Sequence, residues 1–414
     1  MTSKRTVTLE APRVTMSSRR PGRRAVVVSR FYEPEVNAGV FRLGALSRAL
    51  VAAGADVTVV TSKPPVSAEA ITSRPGISVK RWPVLRDRGG NVRGYLQYAS
   101  FDIPLLARLA FVPGDVIVSE APPTTGLIAG IVARIRRRPF VYYGADVWTD
   151  GVAAVGSHRL VVAIMRFLER STIRLSSVIL SVSDDVTRRF EELGARPDQM
   201  ATIGHGIDTE VFSPDVEPAG AGERYFVYTG TMSEVHTPQV FMRAFATVSA
   251  EHPDVHVKIF GQGVFAQEMR ELADELVPGK VAFSGVIPAA AVAQWIRGSA
   301  AALVSLTPGI GYDFAHPTKA YAAAACGTPV LFAGPDSFGD IVRSASLGEA
   351  VAHDTDAVTD AMRRLLAQAA DGTTEEMRAT RTAWARANVS LAAVGQRAAT
   401  AVLESITSSR RARD

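Results

Sequence analysis

The chain has 414 residues, too many for one ordinary hydrophobic core, so two domains are expected. Hydrophobic residues make up 47% and charged residues 21%, a globular composition that excludes a disordered or fibrous protein. The net charge of +5 sits in the ends: residues 1–24 carry seven Lys or Arg against one Glu, and 408–414 three Arg against one Asp, so the body is net −3 and lacks the basic excess of a nucleic-acid track.

One cysteine, Cys326, rules out an internal disulfide framework and fits a reducing compartment, so a cytoplasmic location is expected. No stretch approaches the ~20 apolar residues of a membrane-spanning helix, and no apolar run follows the basic N-terminus as a secretory signal requires. Residues 1–23 and 408–414 read as disordered basic tails. A tether to anionic lipid, giving peripheral contact at the inner face of a membrane, stays open beside that reading.

Arg24–Ser29 (RAVVVS) is a β-branched apolar run of the kind that forms a buried parallel strand. A loop with Pro34 and Gly39 leads into a helical pattern with Leu43, Leu46, Leu50 and Val51 on one face. Gly54 ends it, and Asp56–Thr61 forms the next strand, completing a β-loop-α-β unit. The rhythm continues with strands at 115–119, 139–143, 177–181 and 200–203 and helices at 124–136, 158–175 and 184–193. Residues 213–223 (SPDVEPAGAGE) are rich in Pro, Gly and Ala and read as a linker between domains 24–212 and 224–389. The second series has strands at 225–230, 255–260, 281–283, 301–305 and 329–332. Its helices are expected at 240–252, 290–299 and 318–326, the last rich in alanine and stopped by Gly327. A final helix over 390–407 is placed to cross back to the first domain. Two Rossmann-like, doubly wound parallel sheets facing a cleft are therefore expected.

In such sheets ligands sit beyond the carboxyl ends of the strands, which selects three loops. The first holds Asn37, Gly39 and Arg42: glycine lets a ligand approach the backbone and the helix start favours an anion, although a plain strand-to-helix turn has the same pattern. No G-x-G-x-x-G follows the strand, which disfavours a dehydrogenase. The second runs from Gly309 through Asp313, His316, Pro317 and Thr318 to Lys319. Its helix start can hold a diphosphate, and Lys319 puts a cation where the helix dipole opposes it by a few tenths of a kcal/mol, roughly, unless an anion joins. The alternative is a solvent-facing lysine. The third holds Asp146 and Trp148 after strand 139–143, where a carboxylate beside an aromatic suits sugar hydroxyls, or else caps a helix.

Four stretches carry a family resemblance: Phe31-Tyr32-Glu33-Pro34-Glu35 with Ser47–Leu50 and Val57–Thr61; Ile203–Phe212 (IGHGIDTEVF); Ile259-Phe260-Gly261-Gln262-Gly263; and Ala325-Cys326-Gly327-Thr328-Pro329-Val330. In order and spacing the chain resembles the retaining GT-B glycosyltransferases of glycosyltransferase family 4 (group 1), over nearly its whole length from residue 25. His316–Tyr321 (HPTKAY) is similar to the P-S-K-x-F stretch of transferases that build bacterial surface polysaccharides, and Val141–Trp148 to their acceptor-side loop. The resemblance implies an acceptor-side first domain and a second domain that binds a nucleotide diphosphate sugar. Donor contacts would then come from Gly39, Arg42, Gly230, Thr231, Gly261, Gly263, Asp313, His316, Pro317, Thr318 and Lys319, with Asn37, Asp146 and Trp148 toward the acceptor.

It further implies retention of configuration, with the donor's own phosphate oxygen taking the acceptor proton. Lys319, the Thr318–Lys319 amides and Arg42 would stabilise the leaving diphosphate, and Asp146 would orient the acceptor or the sugar. No metal and no resident cofactor are expected, and no H-E-x-x-H or cysteine pair is present. Two features depart from the pattern. The E-x7-E carboxylates fall at Phe314 and Ala322, and the basic residues usual after the first strand of the second domain are replaced by Thr231 and, near the lysine's position, His236. These departures keep open a degenerate GT-B protein that binds a ligand or partner, and a sugar-nucleotide epimerase of the same fold. His205 with Gly206 reads as a turn between domains or a donor contact, and Gly261-Gln262-Gly263 as a strand-end turn or a base-binding loop. Arg134 and Arg136–Arg138 read as a solvated helix end or a membrane-facing patch.

Overall fold

A computed structural model describes residues 23–411 except 36, 66–73, 88–91, 93 and 155, so the expected basic tail, Arg23 apart, lies outside the described residues. The first unit alternates β1 (Arg24–Val28), α1 (Ala38–Ala52), β2 (Asp56–Ser62), β3 (Ile77–Trp82), α2 (Tyr95–Ala110), β4 (Val116–Glu120), α3 (Pro123–Ile135) and β5 (Phe140–Gly144). It continues through α4 (Trp148–Ala154), α5 (Arg159–Leu175), β6 (Val178–Ser181), α6 (Asp184–Glu192) and β7 (Met200–Thr202). The second unit runs β8 (Arg224–Thr229), α7 (Gln239–Glu251), β9 (Val255–Phe260), α8 (Ala266–Leu276), β10 (Val281–Phe283), α9 (Ala289–Gly298), β11 (Ala301–Ser305) and α10 (Thr318–Ala325). Then come β12 (Val330–Ala333), α11 (Asp336–Ser344), β13 (Gly348–Val351), α12 (Thr355–Asp371), α13 (Thr373–Glu376), α14 (Arg378–Asn388) and α15 (Leu391–Arg411).

Both sheets are parallel and doubly wound. Their orders are β3-β2-β1-β4-β5-β6-β7 and β10-β9-β8-β11-β12-β13. Each reverses beside its first strand, so β1 lies between β2 and β4, and β8 between β9 and β11. Loops on either side of that reversal part from each other and leave a crevice, the position where open α/β sheets bind ligands. The central strands are apolar on both faces because helices cover both: Val26, Val27 and Val28 are fully buried, as are Phe226 and Val227.

α15 packs on the first unit. Val394, Ala398, Val402 and Ile406 join its core cluster, and Arg397 Nε donates to the Ile203 carbonyl at 2.8 Å. At Gly395 any Cβ would come within 2.7 Å of the Ala45 carbonyl oxygen, so glycine sets how closely α15 crosses α1. The helix continues to Arg411, past the tail expected from Ser408, and residues 412–414 lie outside the described residues.

Segment 213–223, expected as the linker, is held to the second unit. Arg297 Nε on α9 donates to the Pro214 carbonyl, Ala219 N donates to the Gln294 carbonyl, and Tyr225 Oη donates to the Ala219 carbonyl. The two crossings between units instead lie side by side at 203–207 and 388–391. There Ile207 N donates to the Val389 carbonyl at 2.7 Å and Leu391 N to the Ile207 carbonyl at 2.9 Å.

Candidate active site in the cleft

The first sheet's reversal places the end of β4 against the loop after β1. Glu120, the last residue of β4, is buried there and accepts from Ser29 Oγ at 3.2 Å and from an Arg42 amino group at 3.1 Å. Burial pushes the Glu120 carboxyl up, and the Arg42 guanidinium works against that shift. A Cβ on Gly39 would lie 2.5 Å from a Glu120 oxygen, so Gly39 makes room for a protein carboxylate. The donor contacts expected of Gly39 and Arg42 are thus met at least partly from within the chain. Arg42 keeps one group free: its Nε is buried without a hydrogen-bond partner among the described residues. Asn37 is likewise engaged, its Oδ1 accepting from Val40 N at 2.9 Å as the N-cap of α1.

The second sheet's reversal holds a cation with no counter-ion among the described residues. Lys319 lies in the first turn of α10, which Pro317 precedes and no side chain caps. Its Nζ donates to Tyr228 Oη at 3.1 Å and stands 4.4 Å from the centre of that ring. The same Tyr228 hydroxyl donates to the Thr231 carbonyl at 2.7 Å, which fixes its orientation. A Cβ on Gly230, whose φ is +107°, would lie 3.4 Å from Lys319 Cε, so the lysine stem runs directly beneath this turn. Among the described residues no carboxylate forms an ion pair with Lys319, and desolvation pulls its ammonium down to about 7. This is not the solvent-facing lysine that the sequence left open.

Neighbouring groups add no charge at neutral pH. His236 is pushed down to about 4 by burial and by Lys319, and His205 to about 3 by burial, His316 and Arg42. His316 is also lowered by burial; its Nδ1 shares a 2.8 Å hydrogen bond with Tyr321 Oη, and its ring lies 5.5 Å from that of His205. Other expected donor residues have structural work. Asp313 Oδ1 accepts from Gly309 N at 2.8 Å and closes the loop before α10. A Cβ on Gly261 or Gly263 would fall about 2 Å from the carbonyl oxygen of Gly230 or Met232, so these glycines let two adjacent loops run against each other. Thr231 and Thr318 are exposed, and Pro317 is buried at the helix start.

Asp146 and Trp148 line a cavity of about 800 Å³ between the two units, opposite Ile310, Tyr312 and Phe314. The N-terminus of α4 is satisfied from elsewhere: the buried Glu169 of α5 accepts from Trp148 N and Thr149 N, each at 2.9 Å. Asp146 is therefore not needed as a cap. It is exposed in the cleft, without a hydrogen bond or ion pair among the described residues. Lys319, Gly230 and Arg42 do not line this cavity.

Residues 39–206 match the model of the glycosyl transferase 4-like domain, and residues 223–368 match that of the glycosyl transferases group 1. The chain joins a glycosyl transferase 4-like domain to a glycosyl transferases group 1 domain. A D-inositol 3-phosphate glycosyltransferase of Nocardiopsis dassonvillei is 28% identical over 222 residues, covering 49% of this chain and 50% of that protein. The match therefore spans about half the length of that relative. Among solved structures, sucrose-phosphate synthase from Thermosynechococcus elongatus aligns with a TM-score of 0.66 at 16% identity, over 95% of this chain and 100% of that one. HepE of Anabaena in complex with UDP-glucose aligns at 0.62 and 14%, over 92% and 99%. At these identities the likeness is one of fold, the two facing Rossmann-like domains of GT-B.

Within this pair of domains the departing positions take on a physical meaning. Ala322 is buried three residues after Lys319 on α10, where a carboxylate would stand one turn from the ammonium; alanine leaves the charge unanswered. Phe314 projects into the cavity, 41% exposed, with its ring 6.4 Å from that of Tyr312. Glu120, Glu169 and Tyr228 were not singled out from the sequence. The signal for Glu120 was available, because strand order 2-1-4 sets the last residue of β4 against the loop after β1. Tyr228 lies within an apolar strand run, and nothing local marks its hydroxyl as a partner for a residue 91 positions away.

Proposed function

We propose that this protein transfers a sugar from a nucleotide diphosphate sugar to an acceptor hydroxyl with retention of configuration. The observation that carries this reading is the unpaired, partly buried Lys319 at the uncapped start of α10. A cation with a depressed pKa at the positive end of a helix is unfavourable in the free protein and becomes favourable when an anion joins it. A diphosphate supplies that anion, and Lys319 with the Thr318 and Lys319 amides then stabilises the negative charge that develops on it as the bond to the anomeric carbon breaks. The acceptor oxygen attacks from the same face, and its proton passes to the departing phosphate oxygen. Asp146, free in the cleft, accepts a hydrogen bond from the acceptor hydroxyl and holds it for attack. The donor is a co-substrate, and the reaction as proposed uses no resident cofactor. The single, buried thiol fits action in the reducing cytoplasm.

The phosphorylated acceptor named for the Nocardiopsis relative is not carried over, since the match covers half of each chain. A second reading, a GT-B protein that binds a ligand without turning it over, draws on Phe314 and Ala322. One experiment separates these. Purified protein is titrated with UDP-, GDP- and dTDP-sugars by calorimetry, and free nucleoside diphosphate is followed with and without candidate acceptors. The transferase reading expects donor binding that weakens about a hundredfold in Lys319→Ala and nucleotide release that depends on acceptor. Binding without release supports the non-catalytic reading, turnover independent of acceptor supports an epimerase or hydrolase, and donor affinity unchanged in Lys319→Ala removes Lys319 from the site.

A further inference from the structure

The cleft cavity carries information about the acceptor that the donor site does not. Its walls come from both domains: Trp148 and Val186 on one side, Ile310, Tyr312 and Phe314 on the other. Tyr312 and Phe314 are nearly parallel, with an interplanar angle of 26°, and the loop presenting them is closed by the Gly309–Asp313 hydrogen bond. Phe314 stands where the family resemblance expects a carboxylate, so the departure turns a polar position in the cleft into an apolar one.

The charges around this cavity are settled within the protein, with one exception. Arg189 is held by both oxygens of Asp150, at 2.6 and 2.7 Å, and also by Glu192. Arg188 is paired with Asp185. Both arginines that line the cavity are therefore neutralised, four carboxylates stand against these two cations, and the carboxylate left without an ion pair among the described residues is Asp146. An anionic acceptor would meet no unpaired cation among the residues lining this cavity and would face net negative charge there. A volume of about 800 Å³ suits a molecule of drug-like size enclosed by apolar walls with a few polar anchors.

We infer that the acceptor is an apolar molecule free of phosphate, whose ring system lies between Trp148 and the Tyr312–Phe314 pair and whose reacting hydroxyl faces Asp146. This rests on the transferase reading and narrows its substrate class. In the reaction the acceptor oxygen bonds to the anomeric carbon as the carbon–phosphate-oxygen bond breaks, and the acceptor proton leaves on the released diphosphate. Aromatic stacking supplies the binding, and Asp146 fixes which hydroxyl reacts.

The test is an equilibrium titration with two probes, 7-hydroxyflavone and glucose 6-phosphate, on wild-type protein and on Trp148→Ala and Phe314→Glu. Wild type is expected to bind the flavone saturably, with the Kd raised tenfold or more in each variant, and to show no saturable binding of the phosphorylated sugar. Thermal melting of the variants separates a lost wall from a lost fold; Phe314→Glu alters an exposed side chain and is expected to melt as wild type. The inference is overturned if the flavone does not bind, if it binds all three proteins alike, or if glucose 6-phosphate binds with an affinity that Arg188→Ala reduces. Donor titration on the same samples distinguishes the two failures. Intact donor binding with a failed flavone titration removes the acceptor inference alone, whereas absent donor binding removes the transferase reading itself.

Discussion

The two sheets of this protein reverse at equivalent places, yet they treat a buried cation in opposite ways. Beside β1, Arg42 meets Glu120 at 3.1 Å, and Ser29 adds a further hydrogen bond to that carboxylate. Beside β8, the one hydrogen-bond partner of the Lys319 ammonium among the described residues is the Tyr228 phenol, and desolvation pulls the ammonium down to about 7. The same strand order thus builds one crevice whose charge is largely answered by the chain and one whose charge is left for something else. Removing one partner of a buried pair strands the other charge, while an unpaired cation at a helix start is a candidate place for an anion.

Removing the answer at the first crevice should have the largest effect. Glu120→Ala leaves Arg42 without its carboxylate and is expected to lower unfolding stability by about 3 kcal/mol, read from chemical denaturation. A loss below about 0.5 kcal/mol would mean the pair is no more structural than a surface bridge. Next comes Lys319→Met at the second crevice, which should act in the opposite direction. It removes a desolvated charge and should stabilise the ligand-free protein at pH 7 by on the order of 2 kcal/mol, with a higher Tm. A drop in Tm would show that the lysine is a structural element after all.

The pH dependence sharpens the same contrast. The folded pKa of Lys319 lies below its unfolded value, so its stability penalty is fully present below about pH 7 and is relieved as pH rises toward the unfolded lysine value. The wild-type and Lys319→Met stability curves should therefore converge above pH 7. Curves that stay parallel from pH 6 to 9 would contradict the depressed pKa. The smallest effect is expected from Tyr228→Phe, which keeps the ring but removes the hydroxyl that orients Lys319. Donor affinity should fall by a factor of about five, roughly 1 kcal/mol. A loss as large as that of Lys319→Ala would place the hydroxyl itself on the ligand.

Much of the scaffold was legible in the sequence, and the reasons are local. β1, β4 and β11 are built on the apolar runs 25–28, 116–118 and 301–304, and the alanine-rich α10 is stopped by Gly327, whose φ is +71°. Some of the elements that escaped notice lack such marks, although α12, capped by Asp354 and ended by Gly372, carries them. β3 is a sheet edge with Ser78, Val79 and Lys80 exposed, so it shows no apolar run. α2 carries Pro104 within it and exposes Leu96 and Ile103, which blurs its helical stripe. α4 has only seven residues, and its N-terminus is held by Glu169, a residue distant in sequence.

The site divided along the same line. Lys319 and Asp146 are candidates that their places at strand ends and helix starts suggest. What surrounds them is long-range and cannot be read from spacing: Tyr228 beneath Lys319, Glu120 behind Gly39, Glu169 capping in place of Asp146. The expected linker shows a related failure. Its composition is that of a connector, yet its Pro214 and Ala219 carbonyls accept from Arg297 and Tyr225 and its Ala219 N–H donates to the Gln294 carbonyl, so a packed segment wore a linker's sequence.

The central claim is that the Lys319 ammonium at the start of α10 receives a diphosphate. The most direct measurement is the proton balance of UDP binding, by calorimetry at pH 8 in buffers of different ionisation enthalpy. Lys319 is mostly neutral there in the free protein and should be charged in the complex, so wild type is expected to take up close to one proton per UDP and Lys319→Met essentially none. Equal proton uptake by both proteins, or none by wild type despite tight binding, would contradict the claim.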